Sequence, residues 1–264
     1  RRQATTKNKS QVLYSQGGFS TGADNAAQFA LFSRLPADPV IEQIRLTPIS
    51  LLLFTLKQDQ RTRLLKQLGL RSKAVVSTPG EFWEEYEPDT AGSASIERTN
   101  LKVNLVLTTG AAVLSPNESV LSAEESLELA NNVALQLLKD GPRGLTEPAA
   151  LEAMLVSVAQ TSSVTRRYTP EKLRRVGGVL SKLNKLLSDT RVDPAGRDAQ
   201  EISGAASNQL VAATAELIED TVNEQEFEAA TNLEVLLPND LASTPIDFDQ
   251  DGRPDVFDVD NDGD

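Results

Sequence analysis

Histidine and cysteine are both absent from the 264-residue sequence. Without histidine the chain has no Ser-His-Asp triad, no histidine acid–base catalyst and no imidazole metal ligand. Without cysteine it has no thiolate nucleophile, no zinc–thiolate site and no disulfide framework. No apolar run approaches the ~20 residues that a helix needs to cross a bilayer, so we expect no membrane span.

The sequence also lacks a basic excess. Its 38 acidic and 26 basic side chains give a formal charge of −12. Between Asp247 and Asp264, eight Asp and one Arg account for −7, which leaves −5 for the other 246 residues. Because no positive surplus is available to attract a phosphate backbone, we expect no nucleic-acid binding. The negative charge is concentrated at the C-terminal end of the sequence.

Start signals for helices recur through the middle of the sequence. At Thr47-Pro48 a capping hydroxyl precedes a proline at the first helical position, where a missing N–H is tolerated. Apolar residues then recur at every third or fourth position and predict one helix that ends at Gly69. These apolar residues are Ile49, Leu52, Leu53, Leu56, Leu64 and Leu68.

Further caps predict additional helices. Ser122 with Glu125 forms a capping box for a helix over 123–139, and Asn223 with Glu226 has the same form. Thr146 precedes a predicted helix near 147–160, and helical apolar spacing also covers 170–188 and 198–222. The remaining start signals are Thr78-Pro79, Thr169-Pro170 and Asp193-Pro194.

The segment from Leu101 to Leu114 fits two patterns, because its apolar residues satisfy both strand alternation and helical spacing. We predict a helix, since the neighbouring segments are helical and an isolated strand would have no partner. Gly177-Gly178 lies inside another helical pattern. It either weakens that helix or lets a second helix approach closely.

The C-terminal stretch that begins at Asp247 fits a twelve-residue calcium loop. Ca²⁺ takes six to eight oxygen ligands at about 2.3–2.6 Å, which such a loop supplies from carboxylates at fixed positions and from one backbone carbonyl. Carboxylates here fall at positions 1, 3, 5, 9 and 12, and Gly252 occupies position 6, where the chain turns sharply. The first predicted calcium site is formed by Asp247, Asp249, Asp251, Asp255, Asp258 and the carbonyl of Arg253.

The same spacing restarts at Asp258, which would close the first loop and open a second one. The second predicted site has the ligands Asp258, Asp260, Asp262 and Asp264, with Gly263 at position 6. An acidic run without a period is usually a solvated tail. The repeated period and the two glycines favour Ca²⁺ binding over that alternative. Asp rather than Glu at position 12 argues against an EF-hand sensor.

These patterns predict a mainly α protein. We expect a multi-helix bundle with a short β-containing N-terminal segment and an extended calcium-loop C-terminus. The N-terminal segment with short strands covers 1–46, the helical bundle covers 47–238, and the Asp-rich calcium-binding repeat covers 239–264.

The overlapping Asp loops resemble the calcium repeats of thrombospondin type 3 modules and their bacterial counterparts. The resemblance covers the last eighteen residues, from Asp247 to Asp264. It departs from the animal repeats in having no cysteines, and the second loop stops at its seventh position. The resemblance implies calcium-rigidified connectors in an extracellular setting.

A second resemblance lies in the helical part. Gly17-Gly18, Leu46-Thr47-Pro48-Ile49-Ser50-Leu51, Leu68-Gly69-Leu70 and Tyr86-Glu-Pro88 are similar to a helical module with a "Thr-Pro-Leu-Thr-Thr-Leu" motif. That module occurs in very large secreted surface proteins of bacteria and marine algae. The resemblance extends over about residues 14–160, brings no activity with it and implies an extracellular or cell-surface location.

Several smaller motifs have a structural and a functional interpretation. Asn8 and Asn117 begin glycosylation sequons that matter only on a eukaryotic secretory route. The acids and aromatics of 81–87 could suggest a carbohydrate site, but an amphipathic helix anchored by its aromatics is favoured. Arg166-Arg167 and Arg174-Arg175 indicate a solvated helix face or a contact with an acidic partner rather than a phosphate cradle.

Two classes of function remain. The favoured hypothesis is an extracellular structural or adhesive protein, a self-associating subunit or segment of a surface fibre, with no enzymatic activity. The alternative is a secreted carboxylate-dependent hydrolase or lyase in which calcium is structural. The alternative needs two acids facing one cleft, whereas the Asp and Glu of the helical part fall at helix starts and on polar faces.

Overall fold

A computed structural model describes residues 12–15, 29–34, 47–70, 91–116, 120–161, 168–188 and 197–236. The described residues are mainly helical, which confirms the predicted fold class at that level. No helix among them combines the length and the apolar character that crossing a membrane requires. The elements are β1 (Val12–Ser15), β2 (Leu31–Arg34), α1 (Pro48–Thr55), α2 (Gln58–Gln67), α3 (Ala91–Leu114), α4 (Ala123–Asp140), a 3-10 helix (Gly141–Leu145), α5 (Pro148–Thr161), α6 (Pro170–Leu186), α7 (Arg197–Ile218), α8 (Glu224–Ala230) and α9 (Leu233–Leu236).

The two strands pair antiparallel, with Val12 opposite Arg34, and β2 packs against α1. Just before β2, the N–H of buried Ala30 donates to the Ser126 Oγ of α4 at 2.9 Å. This bond fixes the start of β2 on the helical bundle. Most of the predicted N-terminal segment 1–46 lies outside the described residues, so the extent of that segment and its boundary with the bundle stay predictions.

α3 is the central helix of the described bundle and packs against α1, α4, α5 and α7. Its apolar residues from Val103 to Leu114 are buried, so the helix predicted across the ambiguous segment is confirmed. A Cβ atom at Gly110 would lie 2.8 Å from the Leu129 Cδ1 of α4. The leucine side chain therefore rests directly on the backbone of α3, which draws the two helices close together.

α5 and α6 form a second closely packed pair. A Cβ atom at Gly177 of α6 would lie 3.0 Å from the Glu152 backbone nitrogen and 3.4 Å from the Pro148 carbonyl oxygen, both in α5. The neighbouring Gly178 faces open space. Of the two interpretations of the Gly177-Gly178 pair, the close approach of a second helix is therefore correct.

Side-chain caps begin four of the helices. The side-chain oxygens of Thr47, Ser122, Thr169 and Asn223 accept backbone N–H groups in the first turns of α1, α4, α6 and α8. At Ser122 the box is complete, because the Glu125 Oε2 accepts the Ser122 N–H at 2.8 Å. These four predicted starts are confirmed. The start signals at 78–79 and 193–194 lie outside the described residues.

The single helix predicted from Pro48 to Gly69 is wrong, because the chain breaks at Leu56 and Lys57 into α1 and α2. Both residues have extended backbone conformations, with ψ of 155° and 160°. Side chains of α2 form hydrogen bonds with backbone groups at the break. The Gln60 Oε1 accepts the Lys57 N–H at 3.1 Å, and the Arg61 Nε donates to the Leu56 carbonyl at 2.9 Å.

The predicted helix over 198–222 also ends earlier than expected, at Ile218. Asp220 adopts a left-handed conformation, with φ of 59°. The Thr221 N–H donates to the Glu216 carbonyl at 3.0 Å, which closes the helix end in the manner of a glycine C-cap. Aspartate is one of the few residues other than glycine that tolerate this conformation.

Candidate functional site

The residues predicted to bind calcium lie beyond the described part of the chain, which ends at residue 236. Among the described residues, no three acidic side chains converge in a way that could hold a metal ion. The calcium assignment therefore stays a prediction from sequence spacing. The predicted ligands concerned are Asp247, Asp249, Asp251, Arg253, Asp255, Asp258, Asp260, Asp262 and Asp264.

The two sequons, which begin at Asn8 and Asn117, and the acidic–aromatic motif of residues 81–87 also lie outside the described residues. Their glycosylation and the anchored amphipathic helix stay predictions.

An ionic cluster on α6 occupies part of the predicted basic patch. The Arg175 guanidinium forms ion pairs with Glu171 in the preceding turn and with Glu224 and Glu228 of α8. We call this set of four residues the arginine clasp. Arg175 is 29% exposed and the three glutamates are 44–59% exposed, so water screens the pairs. The clasp joins the short α8 to the side of α6.

Two further ion pairs extend from the same helix. Lys172 pairs with Asp220 at the end of α7, and Arg174 pairs with Glu171 at 2.7 Å and with Glu152 of α5 at 3.6 Å. Acidic groups of the same chain thus surround this part of the patch. Arg174 and Arg175 therefore form ion pairs within the chain, and a contact with an acidic partner stays a prediction. Arg166 and Arg167 lie outside the described residues.

A cleft with a volume of about 260 Å³ lies where the end of α2 meets α3 and the 3-10 helix. Two of the side chains that line it are cationic, and neither Asp nor Glu belongs to its described lining. We call it the lysine cleft. Its lining residues are Lys66, Gln67, Leu68, Gly69, Thr99, Lys102 and Leu145.

Lys102 is the most constrained cation of this cleft. It projects from α3, and its Nζ donates to the Ser188 Oγ beyond α6 at 3.0 Å. One turn earlier, the buried Arg98 donates from Nη1 to the Leu187 carbonyl at 3.3 Å. Burial, and to a lesser degree the positive charge of Arg98, lower the pKa of the Lys102 amine from its ordinary value.

Both cations also have a structural role, because they lie at the C-terminal end of α6. The last carbonyl groups of a helix carry a partial negative charge, which favours nearby positive side chains. Arg98 and Lys102 therefore connect α3 to α6 in addition to making the cleft positive. The Lys102 amine has three N–H donors, of which Ser188 accepts one.

No sequence pattern predicted the lysine cleft. The one available signal was Lys102 itself, a charged residue in the otherwise apolar-rich stretch from Leu101 to Leu107. That signal is weak, because a lysine at such a position usually extends its amine to water along an apolar stem. Burial of the amine depends on where α2 and the 3-10 helix lie, which is a matter of tertiary packing.

Comparison of the sequence with known protein families and curated proteins, and of the fold with solved structures, found no match. Its function is therefore inferred from the residues of the chain itself and from the two motif resemblances.

Proposed function

We propose that the chain is an extracellular or cell-surface structural protein, a subunit or segment of a surface fibre or adhesive appendage. In this proposal the helical bundle is a rigid node, and the Asp-rich C-terminal segment is a connector that stiffens when it binds Ca²⁺. The chain has no enzymatic role in this proposal. Its extended calcium-loop C-terminus and β-containing N-terminal segment follow the sequence pattern.

The observation that carries the proposal is the period of the aspartates from Asp247 to Asp264. The carboxylates fall at the ligand positions of a calcium loop, and Gly252 and Gly263 each occupy position 6 of their loop. Without calcium, the aspartates of this segment, which has a net charge of −7, repel one another. Each bound Ca²⁺ cancels two charges and ties one loop together, so stiffness becomes calcium-dependent.

The architecture of the bundle supports its role as a node. Its core is continuous from the residues before β2 to α9, and caps satisfy the starts of four helices. The arginine clasp and the Lys172–Asp220 pair hold the last helices against α6. A body that is held together from end to end suits a part that transmits force between connectors.

We propose that the partner is a second copy of the chain, which makes contact through the bundle and the N-terminal segment. A charge of −12 opposes this contact, although repulsion between exposed charges is screened over about 8 Å at physiological salt. Because Arg174 and Arg175 already pair with acids of their own chain, bound Ca²⁺ must supply most of the compensating charge. Glycans at Asn8 or Asn117 belong to the proposal where the chain passes through a eukaryotic secretory route.

Light scattering of the purified chain at high concentration tests the proposal. We expect particles larger than a monomer in millimolar Ca²⁺, fibres in electron micrographs of the same sample, and dispersal after chelator is added. The variant Asp251→Ala, which removes the position-5 ligand, should assemble less at the same Ca²⁺ concentration. A chain that stays monomeric in Ca²⁺ contradicts the proposal, and turnover of a polysaccharide or an ester would favour the hydrolase or lyase alternative.

A further inference from the structure

The lysine cleft combines features of a small-ligand site. It is concave, and its volume of about 260 Å³ is slightly below the range typical of drug-sized ligands, so it suits a small ion or a single functional group. Its lining comes from three separate elements, α2, α3 and the 3-10 helix, whose packing keeps the walls in place.

Among the described residues, the lining of the cleft carries positive charge and no acidic side chain. Lys66 and Lys102 line it, and the Arg98 charge is near enough to act on the Lys102 amine. No ion pair joins either lysine to a described residue, although six ion-pair contacts form elsewhere in the described part of an acidic chain. Two of the three Lys102 N–H donors have no acceptor among the described residues.

Partial burial of Lys102 also favours an anion beside its amine. Burial disfavours its charged form, and an anion at short distance would favour it again. Hydrogen bonds between a cationic donor and an anionic oxygen are stronger than those between neutral groups. A partly buried amine with unused donors is therefore a better anion ligand than a fully solvated surface lysine.

We propose that the lysine cleft binds phosphate, either as the free ion or as a terminal phosphate group. Lys102 provides a partly buried cation, Lys66 provides a second cation at the rim, and Thr99 contributes a polar wall. This site is independent of the predicted calcium loops, so it does not rest on the proposed function.

Isothermal titration of the intact chain with inorganic phosphate tests the site directly. EDTA and low ionic strength keep calcium out of the measurement and limit screening. We expect saturable binding of one phosphate per chain, with about a tenfold or greater loss of affinity in Lys102→Met. Lys66→Met should lose less, about threefold, because the Lys66 side chain is exposed.

Lys182→Met is the matched control, since Lys182 is an exposed lysine on α6 that does not line the cleft. It changes the net charge by the same amount and should leave phosphate affinity unchanged. Parallel titrations with O-phosphoserine and with succinate separate the sources of the anion. Equal affinity for phosphate and phosphoserine indicates a terminal phosphate group, preference for phosphate indicates the free ion, and succinate should bind more weakly than either.

A second measurement locates the bound ion without relying on affinity. ¹³C-methylated lysine amines give separate NMR signals, and the Lys102 signal is identified by its loss in Lys102→Met. We expect phosphate to raise the pKa of the Lys102 amine and to leave the chemical shift of the Lys182 signal in place. Absence of saturable binding, wild-type affinity in Lys102→Met, equal losses in Lys102→Met and Lys182→Met, stronger binding of succinate than of phosphate, or an unmoved Lys102 signal would each overturn the proposal.

Discussion

Gly177 allows α6 to lie against the backbone of α5. A Cβ at this position would meet the Glu152 nitrogen at 3.0 Å and the Glu152 Cα at 3.3 Å, and backbone atoms cannot rotate away as a flexible side chain can. We therefore expect Gly177→Ala to lower the free energy of unfolding by about 1–3 kcal/mol, as overpacking of a close contact does. Urea unfolding followed by circular dichroism measures the change.

Gly178→Ala is the control for this prediction. A Cβ at Gly178 meets no atom within 4 Å, and alanine is a better helix former than glycine. The control should therefore leave stability unchanged or raise it by up to about 1 kcal/mol. If both variants changed stability equally, the close contact between α5 and α6 would not explain the glycine at position 177.

Lys102 should make the free energy of unfolding depend on pH. Burial first, and then the charge of Arg98, lower the pKa of its amine in the folded chain from the ordinary value of 10.5. Below the folded pKa both states hold the proton and the folded state bears the full penalty of the buried charge. Between the folded pKa and 10.5 only the unfolded chain holds the extra proton, so this amine makes the free energy of unfolding rise with pH.

Lys102→Met removes that penalty. We expect the stability of the variant relative to wild type to be highest near neutral pH and to decrease as the pH rises through the folded pKa towards 10.5. Loss of the bond to Ser188 subtracts a constant amount and does not alter this trend. Urea unfolding at several pH values measures it. A pH-independent difference for Lys102→Met would contradict the assignment.

At the scale of secondary-structure elements, the arginine clasp holds α8 against α6. Arg175 pairs with Glu224 and Glu228 across the two helices and with Glu171 in its own helix. Because the partners are about half exposed, Arg175→Met should lower the free energy of unfolding by only about 1 kcal/mol at low salt. The loss should become smaller in 1 M NaCl, where the Debye length falls to about 3 Å.

Lys185→Met is a suitable comparison, because Lys185 is an exposed basic residue of the same helix that forms none of the ion pairs described. It should change stability by less than about 0.5 kcal/mol at either salt concentration. A loss in Arg175→Met that does not depend on salt would mean that packing of the arginine stem, rather than its charge, holds α8.

Helix starts could be predicted from the sequence because a cap is a local interaction. At Ser122, one hydroxyl and a glutamate three residues later satisfy each other's backbone groups, and both are visible in the sequence. Apolar spacing does not predict the break at Leu56, because helical spacing is present on both sides of it. The seven residues 57–63 contain no apolar side chain, which is the local sign that the helical face is interrupted there.

Tertiary features could not be predicted in the same way. The sequence allows two interpretations of Gly177, a weakened helix or the close approach of a second helix. Only the position of α5 distinguishes them. The lysine cleft requires the end of α2 and the 3-10 helix to meet beside Lys102, which no short sequence pattern specifies. The calcium loops are the opposite case, because all their predicted ligands lie within eighteen consecutive residues, and a period is visible without any tertiary structure.

For the whole molecule, charge is distributed in two different ways. In the helical bundle, acidic and basic side chains pair across helices, as between Lys172 and Asp220. The last eighteen residues carry −7 of the total charge of −12, with a single arginine among eight aspartates. Like charges at this density attract cations from solution. The proposed function therefore requires that this segment bind Ca²⁺ at its regularly spaced aspartates.

Isothermal titration of Ca²⁺ into the chelator-treated chain measures this binding. We predict saturable uptake by wild type and a marked loss of affinity in Asp251→Ala, which lacks the carboxylate at position 5 of the first loop. Asp240→Ala, which removes an aspartate outside the loop period, should retain wild-type uptake. No uptake by wild type, or uptake that Asp251→Ala leaves unchanged, would contradict the account.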